Sequence, residues 1–216
     1  EGKVVIVTGA SRGIGFELVK QFTHAGHTVI CLTRNIEPLK DIAHANLKSI
    51  STDLTSQDSM NSAVAFIKKE VTHIDCIINN AGSLVNKPYE TIAYTELQKV
   101  YQVNVFAPYY LIQQLMSVLG KEGKSHVVNI SSMGGFQGSS KFAGLSAYSS
   151  SKSALSGLTE CLAEELKDTK ISVNCLALGA VQTEMLQKAF PGYKAPIKAS
   201  EMAEFVFMFA LEGNKY

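Results

Sequence analysis

The chain has 216 residues, a formal net charge of +1 and a hydrophobic content of 46%. These values are typical of one α/β domain, so residues 1–216 are predicted to form a single domain with a substantial core. The nearly balanced charge argues against nucleic acid or an anionic membrane surface as a partner. Apolar runs are too short to span a membrane, and no cluster of cysteines and histidines has metal-ligand spacing. Neither a membrane partner nor a metal site is therefore expected.

The four cysteines indicate where the protein works. Three lie in strand-like runs and one in a helical run, and no Cys-x-x-Cys pair occurs. We therefore expect buried free thiols in a reducing compartment, which favours a cytoplasmic protein. The five histidines show no ligand spacing and are interpreted as surface or loop residues.

The first element is an apolar run that stops at a glycine-rich turn. Residues 3–8 predict a strand, and residues 14–25 have apolar side chains at helical spacing. This order places free backbone amides at a helix N-terminus, where the helix dipole favours a diphosphate. The chain is therefore predicted to bind a dinucleotide. The expected contacts in the turn are Gly9, Ser11, Arg12, Gly13, Ile14 and Gly15.

Beyond the turn, short apolar runs alternate with helical patterns. Strands are predicted over 28–33, 47–51, 74–79, 126–131 and 171–177. Helices are predicted over 37–45, 56–71, 95–119 and 147–167. This alternation is typical of a doubly wound, Rossmann-type α/β fold with a mainly parallel sheet and helices on both faces.

Two segments interrupt the alternation, residues 133–146 and 182–199. Each follows a predicted strand, and ligands of doubly wound sheets bind beyond the carboxyl ends of strands. We expect both segments to contact substrate, and the second to form a mobile lid because its prolines disfavour one continuous helix. Phe190 and Tyr193 would then cover an apolar ligand. The alternative is a fixed surface loop whose two rings are anchored in the core.

Tyr148 and Lys152 are four residues apart in a predicted helix and therefore share a face. A tyrosine has an ordinary pKa of about 10, too high for ready proton exchange at neutral pH. A nearby ammonium group stabilises phenolate, so the pair is expected to lower the pKa of Tyr148. The pattern predicts proton-transfer chemistry.

Together these features resemble the compact, single-domain branch of the short-chain dehydrogenase/reductase family. The resemblance extends from about residue 3 to 185 and rests on five matches in the right order. They are Thr8-Gly9-x-x-x-Gly13-x-Gly15, Asn79-Asn80-Ala81-Gly82, Asn104, Ser131-Ser132, and Tyr148 with Lys152. The family pattern continues into a last strand that is missing here, and residues 213–214 are interpreted as the turn before it.

The resemblance implies roles for four residues. Tyr148 would be the general acid in carbonyl reduction and the base in alcohol oxidation. Ser132 would bind the substrate oxygen, Lys152 would lower the tyrosine pKa and bind the nicotinamide ribose, and Asn104 would hold a water. The segment before Tyr148 is longer than usual in the family. Substitutes for Ser132 are therefore considered, namely Ser139, Ser140 and Ser146.

The resemblance also implies further cofactor contacts. Asp53 and Leu54 would lie near the adenine, Asn79, Ala81 and Gly82 near the adenosine ribose and diphosphate, and Gly179, Val181 and Thr183 near the carboxamide. Leu178 stands where the family usually has proline.

The end of the second strand predicts the cofactor. NAD-binding folds of this type usually place an acid there to accept from the ribose 2′-hydroxyl, and this chain has Arg34 instead. A guanidinium group pairs well with a 2′-phosphate, and Arg12 offers a second cation. NADP(H) is therefore preferred, with NAD(H) possible.

The leading functional prediction is an NADP(H)-dependent oxidoreductase that interconverts a carbonyl and an alcohol on a small molecule. The alternative is a catalytically silent NADP(H)-binding regulator or scaffold. A nucleotide hydrolase is disfavoured because no Gly-Lys-Ser/Thr follows the glycine turn. The candidate apolar lining of the substrate cleft is Leu84, Met133, Phe136, Phe142, Leu145 and Tyr193.

The predicted helices around 104–119 and 147–166 carry apolar residues beyond one face. A helix that covers one side of a sheet should keep a polar face. We therefore expect a homodimer or homotetramer through these helices.

Overall fold

A parallel sheet of six strands forms the centre of the molecule, which we describe from a computed structural model covering residues 2–42 and 44–215. The strands are β1 (Val4–Thr8), β2 (Thr28–Thr33), β3 (Leu47–Ser51), β4 (Cys76–Asn79), β5 (Ser125–Ser132) and β6 (Ile171–Leu178). Their order in the sheet is β3-β2-β1-β4-β5-β6, and every pairing is parallel. The predicted doubly wound α/β fold is thereby confirmed.

Helices cover both faces of this sheet. They are α1 (Gly13–His24), α2 (Glu37–Lys40), α3 (Gln57–Glu70), α4 (Tyr94–Tyr101), α5 (Ala107–Leu115), α6 (Ser146–Glu165), α7 (Glu184–Ala189) and α8 (Ala199–Glu212). A short parallel pair, β7 (Val181–Gln182) with β8 (Ile197–Lys198), brackets α7. No described helix has both the length and the apolar character needed to cross a membrane.

The strands form two cores because successive side chains point to opposite faces. In β1, Ile6 packs into the core formed with α3 and α5, whereas Val5 and Val7 pack into the core formed with α1 and α8. The second core includes Phe22, whose ring lies 4.6 Å from that of Phe207. Burial on both faces explains why these strands read as nearly continuous apolar runs.

The direction in which successive strands join the sheet reverses between β1 and β4. This reversal determines where a ligand site can form. From β1 the chain moves outward to β2 and β3, then crosses back to β4 on the other side of β1. The loops after β1 and β4 therefore diverge to opposite faces and leave a crevice at the carboxyl ends, where such folds bind ligands.

Two predicted helices differ from the structure, and a third helix was not predicted. The predicted helix over 95–119 is divided into α4, a π turn over Gln102–Phe106, and α5. The helix predicted over 37–45 ends at Lys40, and residue 43 lies outside the described residues. The helix α8 was not predicted, because consecutive apolar residues between 205 and 211 obscure its 3.6-residue period.

Two predictions about titratable side chains were wrong. His126 is fully buried rather than at the surface, because its Nδ1 lies 3.0 Å from the Ala210 carbonyl and its Nε2 lies 2.9 Å from Asn174 Nδ2. Cys161 is exposed rather than buried, because it lies on the outer surface of α6, whereas Cys31 and Cys76 are buried in the sheet.

Candidate active site

A cavity of about 1250 Å³ runs along the carboxyl ends of the strands. The glycine-rich turn after β1 forms part of its wall. Gly9 has φ +69°, and a Cβ at this position would lie 2.7 Å from Ala81 Cα, so only glycine fits. Gly13 has φ +56°, and a Cβ there would meet only the Thr183 side chain, at 3.5 Å. The backbone of the turn is therefore accessible from the cavity.

The helix that follows the turn begins without a side-chain cap. Arg12 occupies the N-cap position, and its side chain makes no capping hydrogen bond. The first amides of α1 are therefore available to an anion at the positive end of the helix dipole. This arrangement fits the diphosphate of a dinucleotide.

Asn80 joins the two loops that diverge at the strand reversal. Its Nδ2 donates to the carbonyls of Thr8, at 3.1 Å, and Gly9, at 3.2 Å. The backbone amide of Ala81 donates to Thr8 Oγ1 at 3.0 Å. Asn80 lines the cavity and was not among the predicted site residues, although it stands inside the Asn79-Asn80-Ala81-Gly82 motif.

Ser132, Tyr148 and Lys152 converge at the far end of the cavity. Ser132 is the last residue of β5, and Tyr148 and Lys152 lie one turn apart on α6. Lys152 is buried, and its Nζ donates to the Ile130 carbonyl at 2.7 Å and lies 5.9 Å from the centroid of the Tyr148 ring. The end of β5 and the first turns of α6 thus position a hydroxyl, a phenol and an amine close together.

The expectation that Tyr148 has a lowered pKa is not met. Burial raises the pKa of Tyr148, and its hydrogen bond with Ser132 opposes that effect without cancelling it. Burial also lowers the pKa of Lys152, to about 8. Burial is thus the largest cause of the pKa shift in both groups.

Ser131 and Ser132 point to opposite sides of β5, as alternation requires. Both line the cavity, but Ser131 is buried beneath α6, where its Oγ donates to the Lys152 carbonyl at 2.9 Å, whereas Ser132 is less buried. Of the substitutes considered, Ser139 is held by the carbonyls of Met133 and Phe136. None of the substitutes, Ser139, Ser140 or Ser146, lines the cavity.

Asn104 lies in the π turn and is fully buried. Its Oδ1 accepts from the Ser83 amide at 2.7 Å, and its Nδ2 donates to the Ser83 carbonyl and to Ser151 Oγ, both at 2.9 Å. Protein atoms therefore engage both ends of the amide that was expected to hold a water. Asn104 fixes the loop after β4 against α6, next to Lys152.

The structure brings most of the predicted site residues to this one cavity. Those that line it are Gly9, Ser11, Arg12, Gly13, Ile14, Arg34, Asp53, Leu54, Ala81, Gly82, Ser132, Tyr148, Lys152, Gly179, Val181 and Thr183. The remaining three, Gly15, Asn79 and Asn104, do not.

Gly15 and Asn79 are placed behind the cavity by packing. A Cβ on Gly15 would lie 2.3 Å from the Gly9 carbonyl oxygen, so this glycine lets α1 approach the turn. Asn79 Nδ2 donates to Asn129 Oδ1 at 2.8 Å, and Asn129 Nδ2 donates to Thr159 Oγ1 at 2.9 Å. The Asn79 side chain therefore connects the sheet to α6.

Cations surround the end of the cavity near β2 and β3. Hydrogen bonds from Thr55 lower the pKa of Asp53, and the charges of Arg34 and Lys99 lower it further. Arg34 and Lys99 are both exposed and both line the cavity. Lys99 was not a predicted site residue, because it lies on α4 and the sequence does not place α4 beside β2.

The segment 182–199 covers the opposite wall with α7. Arg12 Nη1 lies 3.3 Å from Glu184 Oε2, which joins the glycine turn to α7. Asn86 Nδ2 donates to the Ala189 carbonyl at 2.7 Å. Phe190 and Tyr193 both line the cavity, and Tyr193 is 50% exposed, so its ring is not anchored in the core.

Of the predicted apolar lining residues, Phe136 is 56% exposed and lies outside the cavity. The others line it, namely Leu84, Met133, Phe142, Leu145 and Tyr193.

The profile of the family described as short chain dehydrogenase matches residues 3–194, which is most of the chain. This chain belongs to the short-chain dehydrogenase family. The family resemblance inferred from the glycine turn, the Asn-Asn-Ala-Gly motif and the Tyr148–Lys152 pair is thereby confirmed. Family membership makes the chain an oxidoreductase of the class that acts on carbonyl and alcohol groups.

Relatives of this short-chain dehydrogenase cover nearly all of its length. A 3-oxoacyl-(acyl-carrier-protein) reductase of Aquifex aeolicus is 32% identical over 192 residues, which are 86% of this chain and 76% of the relative. A short-chain dehydrogenase of Escherichia coli, crystallised with NADPH, has TM-score 0.88 and 29% identity, covering 99% of this chain and 92% of that one. One of Shigella flexneri, crystallised with NADP, has TM-score 0.87 and 29% identity, covering 97% and 90%.

Proposed function

We propose that this protein interconverts a carbonyl and an alcohol on a small molecule, with Tyr148 as the general acid and base and NADP(H) as the cofactor. The observation that carries the proposal is the convergence of Ser132, Tyr148 and Lys152 on the cavity that the glycine turn also lines. A binding-only regulator would have no need for this set of groups.

Proton transfer is the task of the protein side chains. A phenol whose pKa is raised stays protonated at neutral pH, so Tyr148 can donate its proton to the oxygen of a carbonyl during reduction. Ser132 would hold that oxygen by a hydrogen bond, since its hydroxyl already pairs with Tyr148. Lys152 would stabilise the phenolate left behind. The bound nicotinamide supplies or accepts the hydride.

The residues around the cavity fit a dinucleotide with a 2′-phosphate. The uncapped amides at the start of α1 would hold the diphosphate. Arg34 and Lys99 would surround the 2′-phosphate, with Arg12 as a further cation, and the strand end that carries an acid in NAD-binding folds here carries Arg34. These charges favour NADP(H), with NAD(H) as the weaker cofactor. The NADP and NADPH bound to the two solved relatives support the same preference.

The proposal is tested by measuring NADPH oxidation by the purified protein across a panel of ketones, aldehydes and oxo esters. Turnover should depend on the carbonyl compound, and Ser132→Ala should lower kcat by about 10²-fold or more while NADPH still binds, because one oxygen-stabilising donor is lost. NADPH binding without turnover on any carbonyl would instead favour a catalytically silent regulator or scaffold.

A further inference from the structure

A second groove, of about 660 Å³, lies beside the candidate active site. It runs between the loop after β4 and the first turns of α6. Phe142 and Leu145 line both this groove and the larger cavity, so the two spaces share one wall. Phe142 and Leu145 therefore separate the groove from a molecule bound at Tyr148.

The lining of the groove is mainly apolar and unusually exposed. Tyr89 is 81% exposed and Phe142 is 61% exposed, although both have aromatic rings. Lys141 lies at the rim, but its Nζ is held by the Phe136 carbonyl at 2.7 Å and by Ser139 Oγ at 2.8 Å. Of the two charged residues that line the groove, Lys141 is already engaged and Glu90 is exposed to solvent, so the two rings offer an apolar ligand its main contacts.

The inner end of the groove carries a buried hydroxyl that lacks a partner. Ser149 is 8% exposed, and within the described residues no atom forms a hydrogen bond with its Oγ. A Cβ placed on Gly134 would lie 3.1 Å from Ser149 Oγ and 3.7 Å from Ser132 Oγ, so both hydroxyls face the same glycine. Buried hydroxyls are nearly always paired, so Ser149 Oγ is an unusual polar atom between the groove and the candidate active site.

We propose that the groove is a second substrate subsite that takes the apolar chain or ring of an elongated carbonyl compound. The carbonyl would lie at Ser132 and Tyr148, and the chain would pass Phe142 into the groove. This inference rests on the proposed function and narrows it. The substrate class is extended apolar carbonyl compounds rather than small polar ketones or sugars.

The experiment measures NADPH-dependent reduction of a series of 2-alkanones from butanone to dodecanone. Specificity, kcat/KM, should rise by about threefold to fourfold for each methylene group that enters the groove, as the burial of apolar surface requires. Ala143→Trp fills the groove, because Ala143 lines the groove and not the cavity. This variant should abolish the advantage of the long ketones over butanone.

Two further variants distinguish an effect of the groove from the general effect of removing an exposed aromatic ring. Tyr89→Ala removes a wall of the groove and should reduce the dependence on chain length. Tyr94→Ala is the matched control, since Tyr94 is 73% exposed and lies outside the groove. It should behave as wild type.

An active enzyme with no dependence on chain length, or an Ala143→Trp variant with the wild-type profile, would overturn the subsite. The subsite would also be overturned if the Ala143→Trp variant formed an oligomer of different mass from the wild type in solution. The groove would then be an interface between copies of the chain. If no ketone is reduced, calorimetric binding of the same series to the NADP-saturated protein separates the two proposals. Affinity that rises with chain length would support the subsite even though the proposed function failed, and a flat series would reject both.

Discussion

The amine nitrogen of Lys152 lies 5.9 Å from the centroid of the Tyr148 ring and is hydrogen-bonded to the Ile130 carbonyl. The lysine therefore faces the tyrosine as a nearby charge and not as a direct partner of its hydroxyl. Burial dominates both groups, raising the pKa of Tyr148 and lowering that of Lys152 to about 8. A phenol with a raised pKa keeps its proton at neutral pH, and this is the form that the proposed proton donation to a carbonyl requires.

Arg34→Asp should reverse the preference between cofactors. The change removes a cation from the expected 2′-phosphate position and adds an acceptor for a 2′-hydroxyl. NADPH affinity should fall by about 10- to 100-fold, the worth of a charge-assisted hydrogen bond, and NADH affinity should rise. Fluorescence titration measures both. Lys68→Asp makes the same charge change on the exposed surface of α3 and serves as the control. NADPH affinity that is equal in both variants would make Arg34 a simple surface residue.

Asn86→Ala should loosen the segment 182–199, which we predict to act as a lid. Asn86 donates to the Ala189 carbonyl, and the neighbouring Lys87 amide donates to the Gly144 carbonyl at 3.1 Å. These bonds tie the lid and the segment 133–146 to the loop after β4. Without Asn86, amides of α7 should exchange faster and the KM for the carbonyl should rise several-fold, with NADPH affinity unchanged.

In the wild type, hydrogen exchange over 182–199 should slow when NADP(H) and substrate are added together. Asn61→Ala removes an exposed asparagine on α3 and should change neither measurement. Strong and equal protection of this segment with and without ligands would reject the lid and leave the segment 133–146 to determine specificity.

The segment 104–119 and the helix α6 should mediate self-association, as the sequence predicts. Phe106 is 53% exposed, Tyr109 is 51% exposed and Met116 is 36% exposed along this stretch. We predict a dimer or tetramer by light scattering at micromolar concentration, and Phe106→Glu with Tyr109→Glu should lower the measured mass. Phe205→Glu, on α8, is the matched control and should keep the wild-type mass. A monomeric wild-type protein would contradict the prediction.

Stability should decrease below about pH 6.5 because of His126. Burial lowers the pKa of His126, although its hydrogen bond with Ala210 opposes this. Between that lowered pKa and the ordinary value, the unfolded chain binds more protons than the folded one. The stability that the buried, neutral His126 contributes is therefore fully present above pH 6.5 and is lost as the pH falls.

Urea unfolding at pH 7.5 and 5.5 measures this effect. Burial also lowers the pKa of His27, so His27 contributes a pH dependence of the same sign. His126→Gln isolates the contribution of His126, and the variant should lose less stability between the two pH values than the wild type does. Identical losses in the two proteins would show that His126 is not responsible.

The sheet and most of the cavity could be predicted because local patterns determine them. The run before Gly9 is apolar on both faces, and the glycine turn and the start of α1 follow from the preferences of single residues. The segment after β6 could be placed over the cavity because it follows a strand end. The order of motifs was enough to bring Ser132, Tyr148 and Lys152 together.

What could not be predicted depends on contacts between distant segments. Lys99 and Asn86 reach the site only because α4 and the loop after β4 fold over it, and no local pattern reports that approach. The pKa of Tyr148 follows from the burial of its ring, whereas the sequence shows only the lysine one turn away. The family resemblance assigned a water to Asn104, whereas Ser83 and Ser151, which are distant in the chain, engage both ends of its amide.

Tyr148→Phe tests the central proposal, proton transfer by Tyr148, most directly. The change removes the transferable proton and keeps the ring, so the fold and the NADPH affinity should be close to wild type. Reduction of the best carbonyl substrate should fall by about 10²- to 10⁴-fold in kcat, which corresponds to roughly 3–5 kcal/mol of activation free energy. A Tyr148→Phe protein that binds NADPH and turns over near the wild-type rate would contradict the account.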